Sequence, residues 1–242
     1  MMTSLEWAVA ALGALMVGVS KTGVSGLGLL AVVLFAQIMP AKEATGAVLP
    51  LLLVGDVVAV ASYRGHADLR FIARLFPWAA VGVVAGYFAL SVVNDRQAKA
   101  LIGAIVLVLV GVSVFRQRSQ GGGAPLPAWV APFVGMLAGF TTLVSNAAGP
   151  LMAIYLLAMS LPKLEYMGTS AVFFCLLNAF KVPFMASLGL ITARSLHLNL
   201  ILVPAVLAGT WAGRKLLIGL KQRQFEWAVL GLTALSGLKL LF

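Results

Sequence analysis

Residues 40–63 read PAKEATGAVLPLLLVGDVVAVASY. After the charged start, positions 44–63 form an apolar run in which Asp56 is the only charged residue. A helix needs about 20 apolar residues to cross a bilayer. An acid inside such a helix is costly unless it faces a partner or a water-filled cavity. The stretch therefore predicts a transmembrane helix in which Asp56 has a role beyond packing.

The whole chain has the composition of a membrane protein. Of its 242 residues, 62% are hydrophobic and 10% are charged, whereas soluble domains are about half apolar and about a quarter charged. The net charge of +10 would suggest nucleic acid in a soluble protein. Here the basic residues lie in short loops, where they orient a chain in the bilayer. We therefore expect lipid as the surrounding partner and no nucleic acid.

Ten apolar segments follow one another along the chain and predict an all-α, polytopic membrane protein. They cover residues 5–20, 26–39, 44–63, 69–92, 97–115, 128–144, 148–160, 166–186, 195–218 and 224–241. The stretch 116–127, RQRSQGGGAPLP, is the one clear linker. It divides the chain into an N-terminal unit, 1–115, and a C-terminal unit, 128–242.

The two units resemble copies of each other. PAKEATG at 40–46 matches PKLEYMG at 162–168 in proline, glutamate and glycine, at an offset of 122 positions. The same offset places Asp56 on Asn178. An ordered series of such matches predicts a duplication, with about five segments in each half.

The basic residues predict that the two copies have opposite orientations. With the loop of Arg64, Arg70 and Arg74 in the cytoplasm, ten basic residues lie inside and five outside, as the positive-inside rule favours. Segments 44–63 and 166–186 then run in opposite directions. This inverted-topology repeat is common among secondary transporters. It places both termini outside the cytoplasm, in a protein of the inner membrane.

The stretch SKTGVSGLG at 20–28 is the first candidate site. Its three glycines disfavour a continuous helix, and broken backbone at membrane depth is tolerated where it lines a cavity. Lys21, Thr22, Ser25 and the backbone at Gly26 would together stabilise an anion. The alternative is a surface loop in which Lys21 reaches the lipid headgroups.

The stretch TTLVSNAAGP at 141–150 is the counterpart in the second copy. Thr142, Ser145 and Asn146 offer two hydroxyls and an amide, and Pro150 fits the first turn of a new half-helix. These groups predict ligand contacts. Hydrogen bonding between closely packed helices is the alternative.

Asp56 and Asn178 mark a third place. Asp56 is predicted either to carry a proton in coupled transport or to pair with Lys21 or another cation. Lys181 shares a helix face with Asn178. It would either reach an anion or extend toward the headgroups, and we favour the second interpretation.

Two further patterns are interpreted as structural, and a third class of site is not expected. GVVAG at 82–86 and GTWAG at 209–213 are GxxxG motifs, which let helices pack closely. The single cysteine, Cys175, and two distant histidines provide no clustered ligands. We therefore expect no metal, no cofactor and no catalytic residues.

These stretches together resemble the sulfite exporter TauE/SafE family, also called the four-toluene-sulfonate uptake permease family. The resemblance rests on TGVSGLG, PAKEATG and TTLVSNAAGP followed by LPKLEYMGTSAVFFCLLN, and it covers nearly the whole chain. It departs from a more common G-x-G-G-G pattern at 23–28. The resemblance implies export of small sulfur-containing anions such as sulfite, sulfonate or sulfoacetate.

The residues themselves predict an anion transporter that works by alternating access. An anion channel and a carboxylate anion permease are the alternatives, and a membrane-embedded enzyme or assembly factor is a third class. The sequence sets no oligomeric state and leaves a homodimer open.

Overall fold

The computed structural model describes residues 2–23, 27–89, 127 and 129–241, and this part of the chain is all-α, as predicted. The helices are α1 (Ser4–Thr22), α2 (Leu27–Ile38), α3 (Ala41–Tyr63), α4 (Leu69–Ala89), α5 (Val130–Ser145), α6 (Ala148–Ala158), α7 (Lys163–Ser187), α8 (Ala193–Gly219) and α9 (Gln222–Leu241), with a 3₁₀ turn at Arg64–His66. The predicted segment 97–115, and the linker 116–127 apart from Pro127, lie outside the described residues.

Five of the described helices are long and apolar enough to cross a membrane, namely α1, α3 with its 3₁₀ turn, α4, α7 and α8. Their outer surfaces carry large apolar side chains, among them Leu200, Phe88 and the indole of Trp211. Such side chains carry no hydration penalty when they face lipid. The chain is therefore a polytopic membrane protein, which confirms the prediction from composition.

The two shortest of the described α-helices are too short to cross a bilayer. Helices α2 and α6 contain 12 and 11 residues and would extend about 16–18 Å, whereas the hydrocarbon core is about 30 Å thick. Helix α2 begins a few residues after the end of α1, and α6 begins a few residues after the end of α5. The helical structure is therefore interrupted once in each pair. The interruptions lie in the two stretches that the sequence had singled out.

Glycines set the closest helix contacts. A Cβ on Gly82 would overlap the Met136 carbonyl oxygen, and one on Gly209 would overlap the Leu15 carbonyl oxygen. Helix α4 thus packs backbone to backbone on α5, and α8 on α1. This confirms the interpretation of the GxxxG motifs as packing elements. The two contacts are equivalent, because each joins the first helix of one copy to the fourth helix of the other.

Helices α3 and α7, which are counterparts in the predicted duplication, run antiparallel. Gly46 near the start of α3 lies against Leu190 beyond the end of α7, while Gly168 near the start of α7 lies against the end of α3. At the middle of both helices, the Asn178 amide donates a hydrogen bond to Asp56. The matched glycines therefore make the same contact at opposite ends of the pair.

Candidate functional site

A small cavity lies where the interrupted helices meet the centres of α3 and α7. Its volume is about 60 Å³, and a single water needs about 10–15 Å³ on this measure. A few waters or one small ion therefore fit. The polar side chains that line it are Ser20, Lys21, Asp56, Thr142, Asn146, Ser170 and Asn178.

An ion pair forms one wall of this cavity. Lys21 Nζ lies 2.7 Å from Asp56 Oδ1. Asn178 Nδ2 donates to Asp56 Oδ2 at 2.6 Å. The Asp56 side chain is fully buried, and that of Lys21 is 11% exposed. Of the two roles left open for Asp56, the structure contains the ion pair.

Lys21 belongs to the last turn of α1 and not to a surface loop. Besides Asp56, its ammonium faces the Phe174 ring, with 4.9 Å between Nζ and the ring centroid. A cation over an aromatic face is stabilised by the ring quadrupole. The alternative in which Lys21 extends to the lipid headgroups is therefore wrong.

Lys181 supplies a second buried cation. It is 0% exposed, and its Nζ donates to Asn146 Oδ1 at 2.6 Å and to Thr142 Oγ1 at 3.1 Å. Our preference for an outward-reaching Lys181 is thus wrong. A side chain pointing to lipid would have no acceptor at this depth, whereas the end of α5 provides two.

Asn146 connects these groups. It ends α5 with a φ of 53°, in the left-handed region, which asparagine tolerates better than most residues. Its side-chain amide donates to the Thr45 carbonyl of α3 at 2.9 Å, and its side-chain oxygen accepts from Lys181. The left-handed turn therefore places one amide between α3 and the buried lysine.

The structure brings together most, but not all, of the residues proposed from the sequence. Lys21, Asp56, Thr142, Asn146 and Asn178 line the cavity together.

Two other proposed residues use their hydroxyls elsewhere. The Thr22 hydroxyl donates to the Thr210 carbonyl oxygen of α8 at 2.6 Å, and the Ser145 hydroxyl donates to the Thr141 carbonyl oxygen of its own helix at 3.3 Å. Neither lines the cavity. Ser25 and Gly26 lie outside the described residues.

Sequence reasoning missed part of the α7 wall. Ser170 and Phe174 line the cavity beside Asn178. They precede Asn178 by eight and four residues, and residues four apart share a helix face. This spacing is the signal that could have identified them. Lys181, three residues after Asn178, continues the same face.

The site carries an excess of positive charge. Among the described residues, Lys21 and Asp56 line the cavity and Lys181 lies behind Thr142 and Asn146 of its wall, which gives a formal charge of +1 when all three are ionised. A buried charge is costly without a counter-ion, so the cavity favours an anion. No group of three His, Cys, Asp or Glu that could hold a metal ion occurs among the described residues.

The fold and the site define a polytopic membrane protein with antiparallel central helices, interrupted helices and a small cationic cavity, features that occur in secondary transporters. The family profile described as "Sulfite exporter TauE/SafE" matches residues 10–240. The chain belongs to this transporter family. No curated protein and no solved structure gave a significant match.

Proposed function

We propose that this protein is a secondary transporter that exports small sulfur-containing anions, such as sulfite, a sulfonate or sulfoacetate, by alternating access. The observation that carries the proposal is a pair of lysines, Lys21 at the cavity and the fully buried Lys181 behind its wall, with Asp56 as the one acid among the described residues that line it. The family supports the substrate class, since it is described as a family of sulfite exporters.

The chemistry of the cavity supports a small oxyanion. Lys21 offers a charge, and Ser170 and Thr142 place hydroxyls at the wall, whereas the Ser20 hydroxyl donates to the Val17 carbonyl oxygen. Several donors around one charge suit an anion that has three oxygens. The volume of about 60 Å³ favours a small head group over a bulky organic anion.

The position of the site supports alternating access. The cavity lies between elements of both copies, because α1 and α3 supply Lys21 and Asp56 while α5 and α7 supply Thr142 and Asn178. Rocking of one copy against the other would open the cavity to each side in turn. We place both termini on the outer face of the inner membrane, from the distribution of basic residues in the sequence.

Reconstitution in liposomes tests the proposal. We expect flux of labelled sulfite that saturates with concentration and shows counterflow when unlabelled sulfite is on the opposite side. Lys21→Met should abolish this flux, whereas Lys221→Met, at an exposed position before α9, should retain it.

Three outcomes would overturn the proposal. Absence of flux for sulfite, methanesulfonate and sulfoacetate under any gradient would refute the substrate class. Flux that never saturates and shows no counterflow would indicate an anion channel. Flux of short carboxylates alone would indicate a carboxylate permease.

A further inference from the structure

Asp56 stands in the place that an anion would take. Its carboxylate lies on Lys21, and both side chains line the cavity. An anion that binds the Lys21 ammonium must therefore compete with the carboxylate for the same cation. If the carboxylate stayed ionised beside the anion, two negative charges would share one small, water-poor space, which is unfavourable.

We propose that Asp56 is the coupling-proton site of this transporter, and that it takes up one proton from water as an anion replaces it at Lys21. The inference rests on the proposed function and names its coupling ion. In the free state the carboxylate is the counter-ion of Lys21. In the anion-bound state Asp56 is a neutral acid, and the substrate is the counter-ion. The O–H bond on Asp56 forms as the hydronium ion or buffer acid that donates the proton loses its bond to it, and no other covalent bond changes.

Asn178 is suited to both states of Asp56. Its Nδ2 now donates to Asp56 Oδ2 at 2.6 Å, as an ionised carboxylate requires. A neutral acid carries an O–H donor, and rotation of the amide presents an oxygen that accepts it. One asparagine thus satisfies the acid in either protonation state without leaving a buried polar group unpaired.

The contacts favour a proton over a metal cation at this position. Metal cations such as Mg²⁺ and Ca²⁺ are held by several oxygen ligands. Here Oδ1 faces the ammonium of Lys21 and Oδ2 faces the amide nitrogen of Asn178. Both carboxylate oxygens therefore meet nitrogen donors, and a metal ion would have to displace both of them.

Other titratable groups near Asp56 come from α1, from α7 and from its own helix α3. Among the described residues, Lys21 of α1 and Lys181 and Cys175 of α7 act on it electrostatically. On its own helix, Tyr63 lies two turns away and donates to the Thr22 carbonyl oxygen. Of these groups, Lys181 could also make anion binding pH-dependent, because loss of its proton would remove a positive charge from the site.

Binding of methanesulfonate tests the inference, because this anion keeps one negative charge from about pH 5 to pH 8, whereas sulfite itself gains or loses a proton in that range. We expect the Kd of the intact protein to rise about tenfold per pH unit where one proton is taken up with the anion. Calorimetry in two buffers of different ionisation enthalpy should show uptake of about one proton per bound anion. This measurement needs no variant.

Variants assign the proton to a residue. Asp56→Asn mimics the neutral acid, so it should bind methanesulfonate with a Kd that no longer depends on pH. Glu165→Gln, which alters an exposed carboxylate in the first turn of α7, should keep the wild-type slope. A slope that persists in Asp56→Asn would place the proton on another group, foremost Lys181, and would overturn the assignment.

The two proposals fail in different ways. Methanesulfonate binding with a flat pH profile and no proton uptake would overturn this inference alone. No binding of methanesulfonate, sulfite or sulfoacetate at any pH would overturn the proposed function and this inference together.

Discussion

Replacement of Lys181 by methionine removes one positive charge from the centre of the protein at nearly constant side-chain volume. The ammonium lies 2.6 Å from Asn146 Oδ1. An anion bonded to Nδ2 of the same amide would lie further away by the O–N separation of about 2 Å and a hydrogen bond of about 3 Å. Two unit charges about 7.5 Å apart interact by about 2 kcal/mol at an effective dielectric constant of about 20. We therefore expect Lys181→Met to raise the Kd of a sulfonate by about thirtyfold.

The assay is calorimetric titration of methanesulfonate into the purified protein, with thermal unfolding as a check on folding. Lys221→Met is the matched control, because it removes the same charge from an exposed position and should leave the Kd unchanged. The Asn146 and Thr142 acceptors lose a partner in Lys181→Met, so a fall in Tm of a few degrees is expected. A folded Lys181→Met protein whose Kd stays within about threefold of wild type would refute the electrostatic role of this lysine.

Three further perturbations follow from the contacts. Asn146→Ala should weaken methanesulfonate binding at least about tenfold, because one polar contact to a charged group is worth about 1.5–3 kcal/mol. The control Ser145→Ala should leave the Kd within about twofold. Equal effects of the two substitutions on the Kd would place the site elsewhere. Gly82→Ala should cost about 1–3 kcal/mol of stability, because the new methyl group overlaps a backbone carbonyl of α5. An unchanged Tm would contradict that packing. The hydrogen bond from Arg70 lowers the pKa of Asp68. The ionised Asp68 therefore stabilises the fold above its unfolded pKa of about 3.9, and this contribution is lost as the pH falls through the lower folded pKa. The Tm difference between wild type and Asp68→Asn should thus shrink below about pH 4.

The helices were predictable from apolar composition, but their first residues were not. The run 44–63 corresponds to α3, Ala41–Tyr63, and the run 166–186 corresponds to α7, Lys163–Ser187. Both helices begin three residues before the apolar run, directly after Pro40 and Pro162. The backbone decides this start, because the first N–H groups of a helix need no carbonyl partner within it. Charged residues therefore fit the first turn although they do not fit the membrane interior.

The contacts of the site were predictable where the residue type allows few partners. They were less predictable where the partner depends on the direction in which the side chain points. Asp56 must find a cation or a proton at this depth, so its pairing with Lys21 was among the expected outcomes. The direction of Lys181 depends on whether acceptors lie on the inner side of α7, and these come from α5, which is distant in sequence. Thr22 likewise finds its acceptor on α8. The acceptors of Lys181 and Thr22 are therefore absent from the sequence around each of these residues.

The crossing of α3 and α7 explains why the two copies differ at their matched centres. An inverted repeat brings equivalent positions face to face, so Asp56 and Asn178 meet each other across the site. Two aspartates there would place like charges in contact in a medium of low dielectric constant. Two asparagines would leave Lys21 without its counter-ion. One acid and one amide form a hydrogen bond, and the acid neutralises Lys21 in the anion-free state. The antiparallel crossing of α3 and α7 thus favours an asymmetry of charge where Asp56 and Asn178 meet.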